Sequence, residues 1–509
     1  MVLRRPALLL FLILAATLAY GQTPRPSPDY WPTHGWRESS PEAQGMDSRV
    51  LAKALDYVRE HATTIHSVIV VRNGRVVLDA SFFPYRSDDL HDLASVTKSV
   101  TSTLIGITIQ KRKLAGIHQP VLPMFHPEGP AKDDPRKQRL TIENLLTMTS
   151  GIGCEWMPDE TTLEDMQHNA DWVRFVLNRP MAAEPGSTFA YCSPGMHLLS
   201  GVISRATGSS ALAFARKELF EPLGITGAEW PADPQGNSHG WGDLHLHPRD
   251  MAKLGLLWLN GGRWEATQIV PAEWMSAASK VHSRGTGWAE GLGYGYGFWV
   301  DPDQTPPTFA ATGRGGQRIR VIPDKNIVVV LVGRFDVSEI SHFITEAIRS
   351  DQALAEDAGG RALLNAAIAA AARPPKPRQT AALPALASAV SGRRFLIDDN
   401  PLALKALSLS FPSPAEAMLR VEFRDGRVEL RPVGLDSVPR VSPGGRFGLP
   451  VALAGSWDDG GFTFYYDEVA NINCYRFQLT FAGHELSVEV TEETGLVHAK
   501  FKGRDAAGS

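Results

Sequence analysis

Cysteine is scarce in this chain, because its 509 residues contain only three, at positions 154, 192 and 474. An odd count excludes a framework in which every cysteine is paired. Two interpretations of Cys192 stay open: a bridge to Cys154 in an oxidising compartment, or a small buried side chain that fills space in the core. The cysteines alone therefore do not define the fold.

A strong excess of charge is also lacking, with 51 Lys and Arg against 55 Asp and Glu and a formal net charge of -4. This balance gives no reason to expect a nucleic-acid partner. Beyond the N-terminus there is no apolar run long enough to span a bilayer. With 43% hydrophobic residues, the chain is expected to bury a large core in two or more domains.

The N-terminus has the three parts of a secretory signal. Two arginines precede an apolar run from Ala7 to Leu18, and the segment Ala19–Gly21 puts small residues at its first and last positions. This pattern predicts a signal peptide over residues 1–21, and hence a secreted or periplasmic protein without stable membrane insertion after cleavage. An uncleaved membrane anchor is the alternative.

Composition divides the rest of the chain into four segments. Residues 22–40 are rich in proline, serine and tryptophan and are predicted to form an extended N-terminal segment. Residues 41–355 carry hairpin signals near both ends, with helical periodicity between them. Residues 356–384 are predicted to form a helix and a proline-rich linker. In residues 385–509, apolar and polar side chains alternate over short segments, which predicts an all-β accessory domain of sandwich or barrel type.

The most informative short segment is Ser95-Val96-Thr97-Lys98, at the start of an apolar run of helical length. Positions i and i+3 share one face of a helix, so the Lys98 amine is expected beside the Ser95 hydroxyl. A serine hydroxyl needs an adjacent base to act as a nucleophile, and a desolvated lysine can lose its proton near neutral pH. A helix N-terminus also offers backbone N–H groups to a developing oxyanion. On its own the spacing is common, and a solvated helix face is the competing interpretation.

Two later segments add polar residues and glycines. In the first, Tyr191 and Ser193 lie two residues apart in a loop, just before a helical run. In the second, Thr312-Gly313-Arg314-Gly315-Gly316-Gln317 leads into a strand of alternating character. Glycines allow a ligand to approach the backbone closely and allow N–H groups to point outward. Each segment alone also fits an ordinary loop.

In this order, the three segments resemble the motifs of the serine β-lactamase and penicillin-binding-protein superfamily, in which Ser-x-x-Lys is the first element. The similarity is greatest to its class C β-lactamase-like branch, which includes esterases and 6-aminohexanoate-dimer hydrolases. Segments Thr141–Gly151, Glu221–Ile225 and Pro248–Gly255 also resemble that branch, so the resemblance covers roughly Pro41 to Asp351. It implies an α+β fold, the β-lactamase/transpeptidase-like antiparallel sheet flanked by helices plus a helical lobe.

The resemblance implies a role for each matching residue. Ser95 is the implied acylated nucleophile, and Lys98 and Tyr191 are its proton-transfer partners, with the identity of the general base left open. Ser193 stands where the family has asparagine, and the backbone N–H groups of Ser95 and Arg314 are the implied oxyanion hole. The other implied substrate-binding residues are Thr312, Gly313 and Gln317. No metal or organic cofactor is implied.

The third motif departs from the family at Ala311, which stands where the family has lysine or histidine. That cation helps to bind the carboxylate of β-lactams and of D-alanyl-D-alanine peptides, and Arg314 and Arg318 are candidate substitutes. The sequence thus favours a secreted serine hydrolase that cleaves an ester or amide bond of a small-molecule or peptide substrate through an acyl-serine. The alternatives are a β-lactamase or D,D-carboxypeptidase, and a non-catalytic penicillin-sensor-like binding protein. The oligomeric state stays open.

Overall fold

The computed structural model of the protein describes residues 29–61, 64–125, 134–154, 160–286, 289–303, 307–334, 338–458, 460–495 and 497–506. The signal peptide expected over residues 1–21, and the beginning of the extended segment expected over 22–40, lie outside these residues. Within the described ranges, no helix combines the length and the apolar character that crossing a membrane requires.

The helices lie mostly between the two ends of the N-terminal domain. In the described part of the chain the α-helices are α1 Ser48–Glu60, α2 Val96–Gln110, α3 Leu122–Phe125, α4 Ile142–Leu146, α5 Thr161–Gln167, α6 Trp172–Asn178, α7 Ser193–Thr207, α8 Ala211–Ala215, α9 Pro248–Leu259, α10 Ala272–Ala278, α11 Ser338–Glu346, α12 Ala358–Ala371 and α13 Ala385–Val390.

An antiparallel sheet forms the centre of the N-terminal domain. The strands of this domain are β1 Thr64–Arg72, β2 Arg75–Ser81, β3 His91–Asp92, β4 His245–Leu246, β5 Arg263–Trp264, β6 Thr267–Gln268, β7 Ser283–Arg284, β8 Gly293–Tyr294, β9 Trp299–Asp301, β10 Thr308–Thr312, β11 Arg318–Ile322 and β12 Ile327–Arg334. Eight of them form the sheet in the order β2-β1-β12-β11-β10-β9-β8-β7, while β3 pairs with β4 and β5 with β6. Strands from both ends of the domain therefore meet in one sheet.

Helices cover both faces of this sheet, which explains the continuous apolar runs of β1 and β12. Successive strand residues point to opposite faces, and Val329 and Val330 accordingly belong to two different hydrophobic clusters. One cluster contains residues of α1, α11 and α12, and the other contains residues of α2, α7 and α9. Helix α9 packs so closely on the sheet that a Cβ at Gly255 would lie 2.3 Å from Val328 Cγ1.

Helix α2 is buried along most of its length, although it is rich in serine and threonine. Backbone carbonyls from other segments accept hydrogen bonds from its hydroxyls: Ser99 bonds Gly297 O at 2.5 Å and Thr101 bonds Gly240 O at 2.9 Å. Buried hydroxyls need such partners to offset the loss of water. These bonds fix α2, and with it the position of Ser95 at its N-terminus.

The C-terminal domain is a closed β-barrel. Its strands are β13 Arg394–Ile397, β14 Leu404–Ser413, β15 Glu416–Phe423, β16 Val428–Gly434, β17 Arg440–Ser442, β18 Val451–Asp458, β19 Gly461–Glu468, β20 Cys474–Ala482, β21 Glu485–Glu492 and β22 His498–Asp505. They form one sheet, and an additional pairing of β16 with β18 closes it. Together with the N-terminal domain, this barrel confirms the expected α+β fold with a C-terminal all-β domain.

Helix α12 lies within the segment 356–384 that the sequence predicts to be a helix and linker. Its residues Leu364, Ala367 and Ala371 are buried in the same cluster as Leu51 and Leu55 of α1. Apolar burial thus makes α12 part of the N-terminal domain's core. The stretch after it is exposed over residues 372–379 and leads towards the barrel.

The barrel packs against the N-terminal domain close to the start of α2. Tyr85 of the N-terminal domain lies in one apolar cluster with Leu449, Ala452, Val469 and Ala470 of the barrel. Ion pairs join the domains as well, because Arg334 at the end of β12 bonds Asp467 at 2.8 Å and Glu493 at 3.2 Å. The position of the barrel relative to Ser95 is therefore held by apolar and ionic contacts.

Candidate active site

The Ser95 hydroxyl and the Lys98 amine form the centre of the site. Ser95 directly precedes α2 and makes no side-chain capping bond. Its Oγ accepts a hydrogen bond from Lys98 Nζ at 2.6 Å, and Nζ also donates to the carbonyl oxygen of Trp241 at 3.0 Å. Ser95 is partly exposed, whereas Lys98 is only 1% exposed. A nucleophile that a substrate can reach is thus paired with an amine that water hardly reaches.

A carboxylate that the sequence analysis did not single out holds the turn before Ser95. Asp92 Oδ1 accepts the N–H of Ala94 at 2.8 Å, and Ala94 adopts a left-handed φ of 45°. An aspartate that bonds the backbone two residues ahead stabilises such a turn. Burial, followed by the charge of Asp243, raises the pKa of Asp92. Asp92 therefore contributes to the position of Ser95. The sequence signal that could have identified it is an aspartate just before the helix, a residue type that stabilises turns by bonding the backbone two residues ahead.

Burial makes the Lys98 amine easier to deprotonate. Loss of solvation lowers the pKa of Lys98 from 10.5 to about 8, although the negative charges of Glu160 and Asp243 act in the opposite direction. Desolvation disfavours the charged form of a lysine, so this direction is expected. A useful fraction of the amine is consequently neutral near physiological pH, as a general base requires.

Tyr191 is the third member of the site. Lys98 Nζ lies 4.8 Å from the centroid of the Tyr191 ring, which stacks on Trp299 with ring centroids 6.2 Å apart. Burial raises the pKa of the Tyr191 phenol well above its ordinary value, and a hydrogen bond with Ser95 only partly offsets this. The phenol is therefore protonated at neutral pH and can donate a proton.

A disulfide between Cys154 and Cys192 lies next to Tyr191 in the chain. Cys192 is also the N-cap of α7, where its sulfur accepts the N–H of Gly195 at 3.3 Å. The next residue, Ser193, is 1% exposed, and within the described residues its hydroxyl has no hydrogen-bond partner. The bridge thus connects the tyrosine segment to the loop that precedes α5.

The glycine-rich segment after β10 lies directly beside Ser95. A Cβ at Gly313 would be 2.9 Å from the Ser95 nitrogen and 2.8 Å from Leu93 O, so only glycine fits there. Gln317 is fully buried, and its side chain bonds the carbonyl of Arg314 at 3.1 Å and both backbone groups of Gly333. Gln317 thus holds the backbone of this segment, with its polar atoms engaged by other backbone groups.

Neither arginine suggested as a substitute cation has its side chain free beside Ser95. The Arg314 guanidinium extends to the barrel, where it bonds Asn473 Oδ1 at 2.8 Å and the Thr494 hydroxyl. Arg318 pairs with Thr312, one register position beyond the pair Ala311–Ile319. Because Ala311 and Ile319 are buried on the side of α2, Arg318 and Thr312 belong to the opposite face. Arg318 there lies beside α11.

Comparison with known proteins identifies the family. The family model described as Beta-lactamase matches residues 51–345, more than half of the chain. The protein therefore belongs to the β-lactamase family, and the resemblance inferred from the three motifs is confirmed.

Individual relatives are distant and only partly covered. A lovastatin esterase from Penicillium rubens is 27% identical over 208 residues, which are 37% of this chain and 51% of that protein. A 6-aminohexanoate-dimer hydrolase from Paenarthrobacter ureafaciens is 23% identical over 241 residues, 44% of this chain and 60% of that protein. The chain thus spans only about half of these two relatives. The crystal structure of a family VIII carboxylesterase matches with a TM-score of 0.50 and 16% identity, over 61% of this chain and 98% of that one, which shows a shared fold.

Proposed function

We propose that the protein is a serine hydrolase that cleaves a carboxylic ester or amide through an acyl-enzyme on Ser95. The observation that carries this proposal is the 2.6 Å hydrogen bond between Lys98 Nζ and Ser95 Oγ at the N-terminus of a buried helix. The family membership supports it, as do the names of the two relatives, an esterase and a hydrolase.

Acylation begins when neutral Lys98 takes the proton of the Ser95 hydroxyl. The Ser95 oxygen then bonds to the substrate carbonyl carbon, and the carbonyl oxygen becomes an oxyanion. The backbone N–H groups of Ser95 and Arg314 stabilise that charge, a role supported by the contact between Gly313 and the Ser95 nitrogen. The bond to the leaving alcohol or amine breaks as the oxyanion collapses.

Tyr191 acts as the proton donor in this scheme. Its protonated phenol gives a proton to the leaving group, and the Lys98 ammonium, 4.8 Å from the ring centroid, restores that proton. Water then attacks the acyl-serine and gives a proton to Lys98, which returns it to the Ser95 oxygen as that oxygen leaves, and the carboxylic acid is released. The raised pKa of Tyr191 and the lowered pKa of Lys98 support this division of roles.

The proposed substrate has no carboxylate next to the scissile bond. Ala311 provides no cation, Arg314 is bonded to the barrel, and Arg318 belongs to the other face of the sheet. A charge-assisted contact contributes about 1.5–3 kcal/mol, more than a neutral one. Neutral esters and amides are therefore favoured over β-lactams and D-alanyl peptides.

Export from the cytoplasm is part of the proposal. The N-terminal pattern of residues 1–21 is one support, and the Cys154–Cys192 bridge is the other, since disulfides persist in oxidising compartments. Mass determination of the protein recovered from outside the cytoplasm tests this. A mature N-terminus at Gln22 is expected, and an intact N-terminus in the cytoplasmic fraction would contradict export.

The activity is tested with a panel of p-nitrophenyl esters, short amides and the cephalosporin nitrocefin. Wild-type protein should hydrolyse a neutral ester with a higher kcat/KM than nitrocefin, and a fluorophosphonate should label Ser95. Ser95→Ala removes the nucleophile and is expected to lose several orders of magnitude in rate, while circular dichroism should show that the variant stays folded.

The same panel separates the alternatives. Faster turnover of nitrocefin than of every ester would indicate a β-lactamase. A stable acyl-enzyme that never releases its product would indicate a penicillin sensor. Normal ester turnover by folded Ser95→Ala would reject the whole mechanism.

A further inference from the structure

One loop of the barrel contacts both backbone segments beside Ser95. This loop consists of residues 469–473 between β19 and β20 and is called here the 469–473 loop. Its Ala470 carbonyl accepts the N–H of Asp92 at 2.9 Å, three residues before the nucleophile. Its Asn473 Oδ1 accepts a hydrogen bond from Arg314 Nη2 at 2.8 Å, one residue after Gly313. The two segments that carry the oxyanion-hole N–H groups are thus connected through the barrel.

The 469–473 loop is itself held in one conformation. Asn473 is 3% exposed, and its Nδ2 donates to Glu468 Oε2 at 3.0 Å. The N–H of Glu468 donates to the carbonyl of Asn473 at 3.1 Å, and the N–H of Asn471 donates to the carbonyl of Glu468 at 2.8 Å. Because Glu468 fixes the amide, Asn473 Oδ1 is already oriented towards Arg314 before any substrate binds.

The segment Gly313–Gly316, called here the 313–316 loop, is restrained by both domains. Gly315 and Gly316 have φ values of 76° and 104°, and a cavity of about 460 Å³ adjoins both residues. Within its own domain, the Gln317 side chain holds the carbonyl of Arg314, and the N–H of Gly313 donates to the carbonyl of Gln317 at 2.8 Å. From the barrel, Ile472 packs so tightly that a Cβ at Gly315 would lie 2.5 Å from its Cγ2. The barrel therefore adds contacts at Arg314 and Gly315 to those that the N-terminal domain makes.

We propose that Asn473 is a positioning residue, which acts through the Arg314 guanidinium to hold the Arg314 N–H in the oxyanion hole. The inference rests on the proposed function, because it assigns the barrel a part in that same reaction. Transition-state stabilisation depends on donors that are already in place, and a shift of about 1 Å can cost a hundredfold in rate. The all-β domain thereby completes the geometry of a site whose reacting groups all lie in the N-terminal domain.

The test is a double-mutant cycle in the full-length protein with Asn473→Ala, Arg314→Met and the combination of both. Arg314→Met keeps the backbone N–H and removes the whole connection, whereas Asn473→Ala leaves the Thr494 hydroxyl and the Glu492 carboxylate, 3.8 Å from Arg314 Nη1, as further partners. We expect kcat for a p-nitrophenyl ester to fall about tenfold in Asn473→Ala and about a hundredfold in Arg314→Met. KM should stay within about threefold, and the double variant should be no slower than Arg314→Met.

Two controls make the result decisive. Thr480→Ala alters a barrel side chain whose hydroxyl donates to Gly460 O at 3.1 Å, and it should leave kcat unchanged. Amide hydrogen exchange over residues 312–317 should accelerate in Asn473→Ala and in Arg314→Met, and this measurement does not depend on turnover. If wild type and Ser95→Ala show the same rate with every substrate, the proposed function fails and the exchange result alone decides this inference.

Additive losses in the cycle would mean that Arg314 and Asn473 act separately, and would overturn the proposal. A loss confined to KM would also overturn it, because it would indicate that the Arg314 side chain binds substrate directly. Unchanged amide exchange over residues 312–317 in Asn473→Ala would show that Asn473 does not hold the 313–316 loop, and would also overturn the proposal.

Discussion

At the scale of single residues, Lys98 combines two conflicting demands. Catalysis requires a neutral amine beside Ser95, which burial provides by lowering the pKa of Lys98 to about 8. At neutral pH most of the amine is still protonated, and a buried ammonium is poorly solvated. That ammonium is stabilised by Ser95 Oγ and Trp241 O, by the Tyr191 ring 4.8 Å away, and by the negative charges of Glu160 and Asp243. Activity and stability should therefore both depend on pH through this one group.

The activity should rise with pH as Lys98 loses its proton. With a pKa of about 8, kcat/KM for a neutral ester is expected to increase about 50-fold between pH 6 and pH 8 and to level off above pH 9. Tyr191→Phe serves as the control, since it should lower the rate and leave the midpoint where it is. A midpoint that disappears in Tyr191→Phe would assign the titration to the tyrosine.

The stability should respond to pH with a defined sign. The pKa of Lys98 is about 8 in the folded protein against 10.5 as its ordinary value, so the unfolded chain binds more protons between these two pH values. Wild-type stability attributable to Lys98 therefore increases as pH rises through this window, by about 3 kcal/mol in total. Lys98→Met lacks this dependence. Its melting temperature relative to wild type should be highest at pH 7 and should decline towards pH 10, and a constant difference would contradict the assignment.

The sequence predicted the site residues whose side chains take part in the chemistry. It did not indicate the groups that act through the backbone. Ser95 and Lys98 could be found because helix periodicity brings i and i+3 together, and Tyr191 because it belongs to a motif. The carbonyl of Trp241 and the N–H of Asp92 have no side-chain signature. Asn473 lies 159 residues from Arg314, and only the packed fold brings the two together.

At the scale of elements, the disulfide adds a covalent link between two segments that backbone hydrogen bonds also join, such as Ala190 N–H to Met148 O at 2.8 Å. Cys154 lies between α4 and α5 in the chain, and Cys192 caps α7 directly after Tyr191. A bridge across 38 residues restricts the unfolded chain, which corresponds to about 4 kcal/mol in the chain-entropy model. Serine can replace Cys192 as a helix cap, so the bridge can be removed while the cap remains.

The double substitution Cys154→Ser and Cys192→Ser should therefore lower the free energy of unfolding by up to about 4 kcal/mol. Urea unfolding under oxidising and reducing conditions measures this. Reductant should move the wild-type midpoint to that of the double variant and should leave the double variant unchanged. Equal midpoints for oxidised and reduced wild type would show that the bridge does not contribute.

At the scale of the whole molecule, the two domains share charges across their interface. Arg334 is 6% exposed and bonds Asp467 and Glu493 of the barrel, whose side chains are 17% and 42% exposed. A carboxylate that is partly hydrated tolerates the loss of its partner better than a buried one. Removal of Arg334 should therefore lower the free energy of unfolding by less than the roughly 3–5 kcal/mol that is typical of a fully buried pair. The same substitution releases the barrel from β12, which ends 17 residues beyond Gln317. Stability and turnover should consequently fall together.

The matched control for this interface is a second arginine that is paired entirely within the barrel. Arg394 bonds Glu422 at 2.6 Å, and both residues belong to the barrel. We expect Arg334→Met to lower the melting temperature by several degrees and to reduce ester turnover, whereas Arg394→Met should leave turnover unchanged, because the Arg394–Glu422 pair lies within the barrel. Calorimetry and ester kinetics on both variants make the comparison. Equal turnover in the two variants would mean that the ion pairs of Arg334 do not affect the active site. The 469–473 loop alone would then carry any influence of the barrel on Ser95.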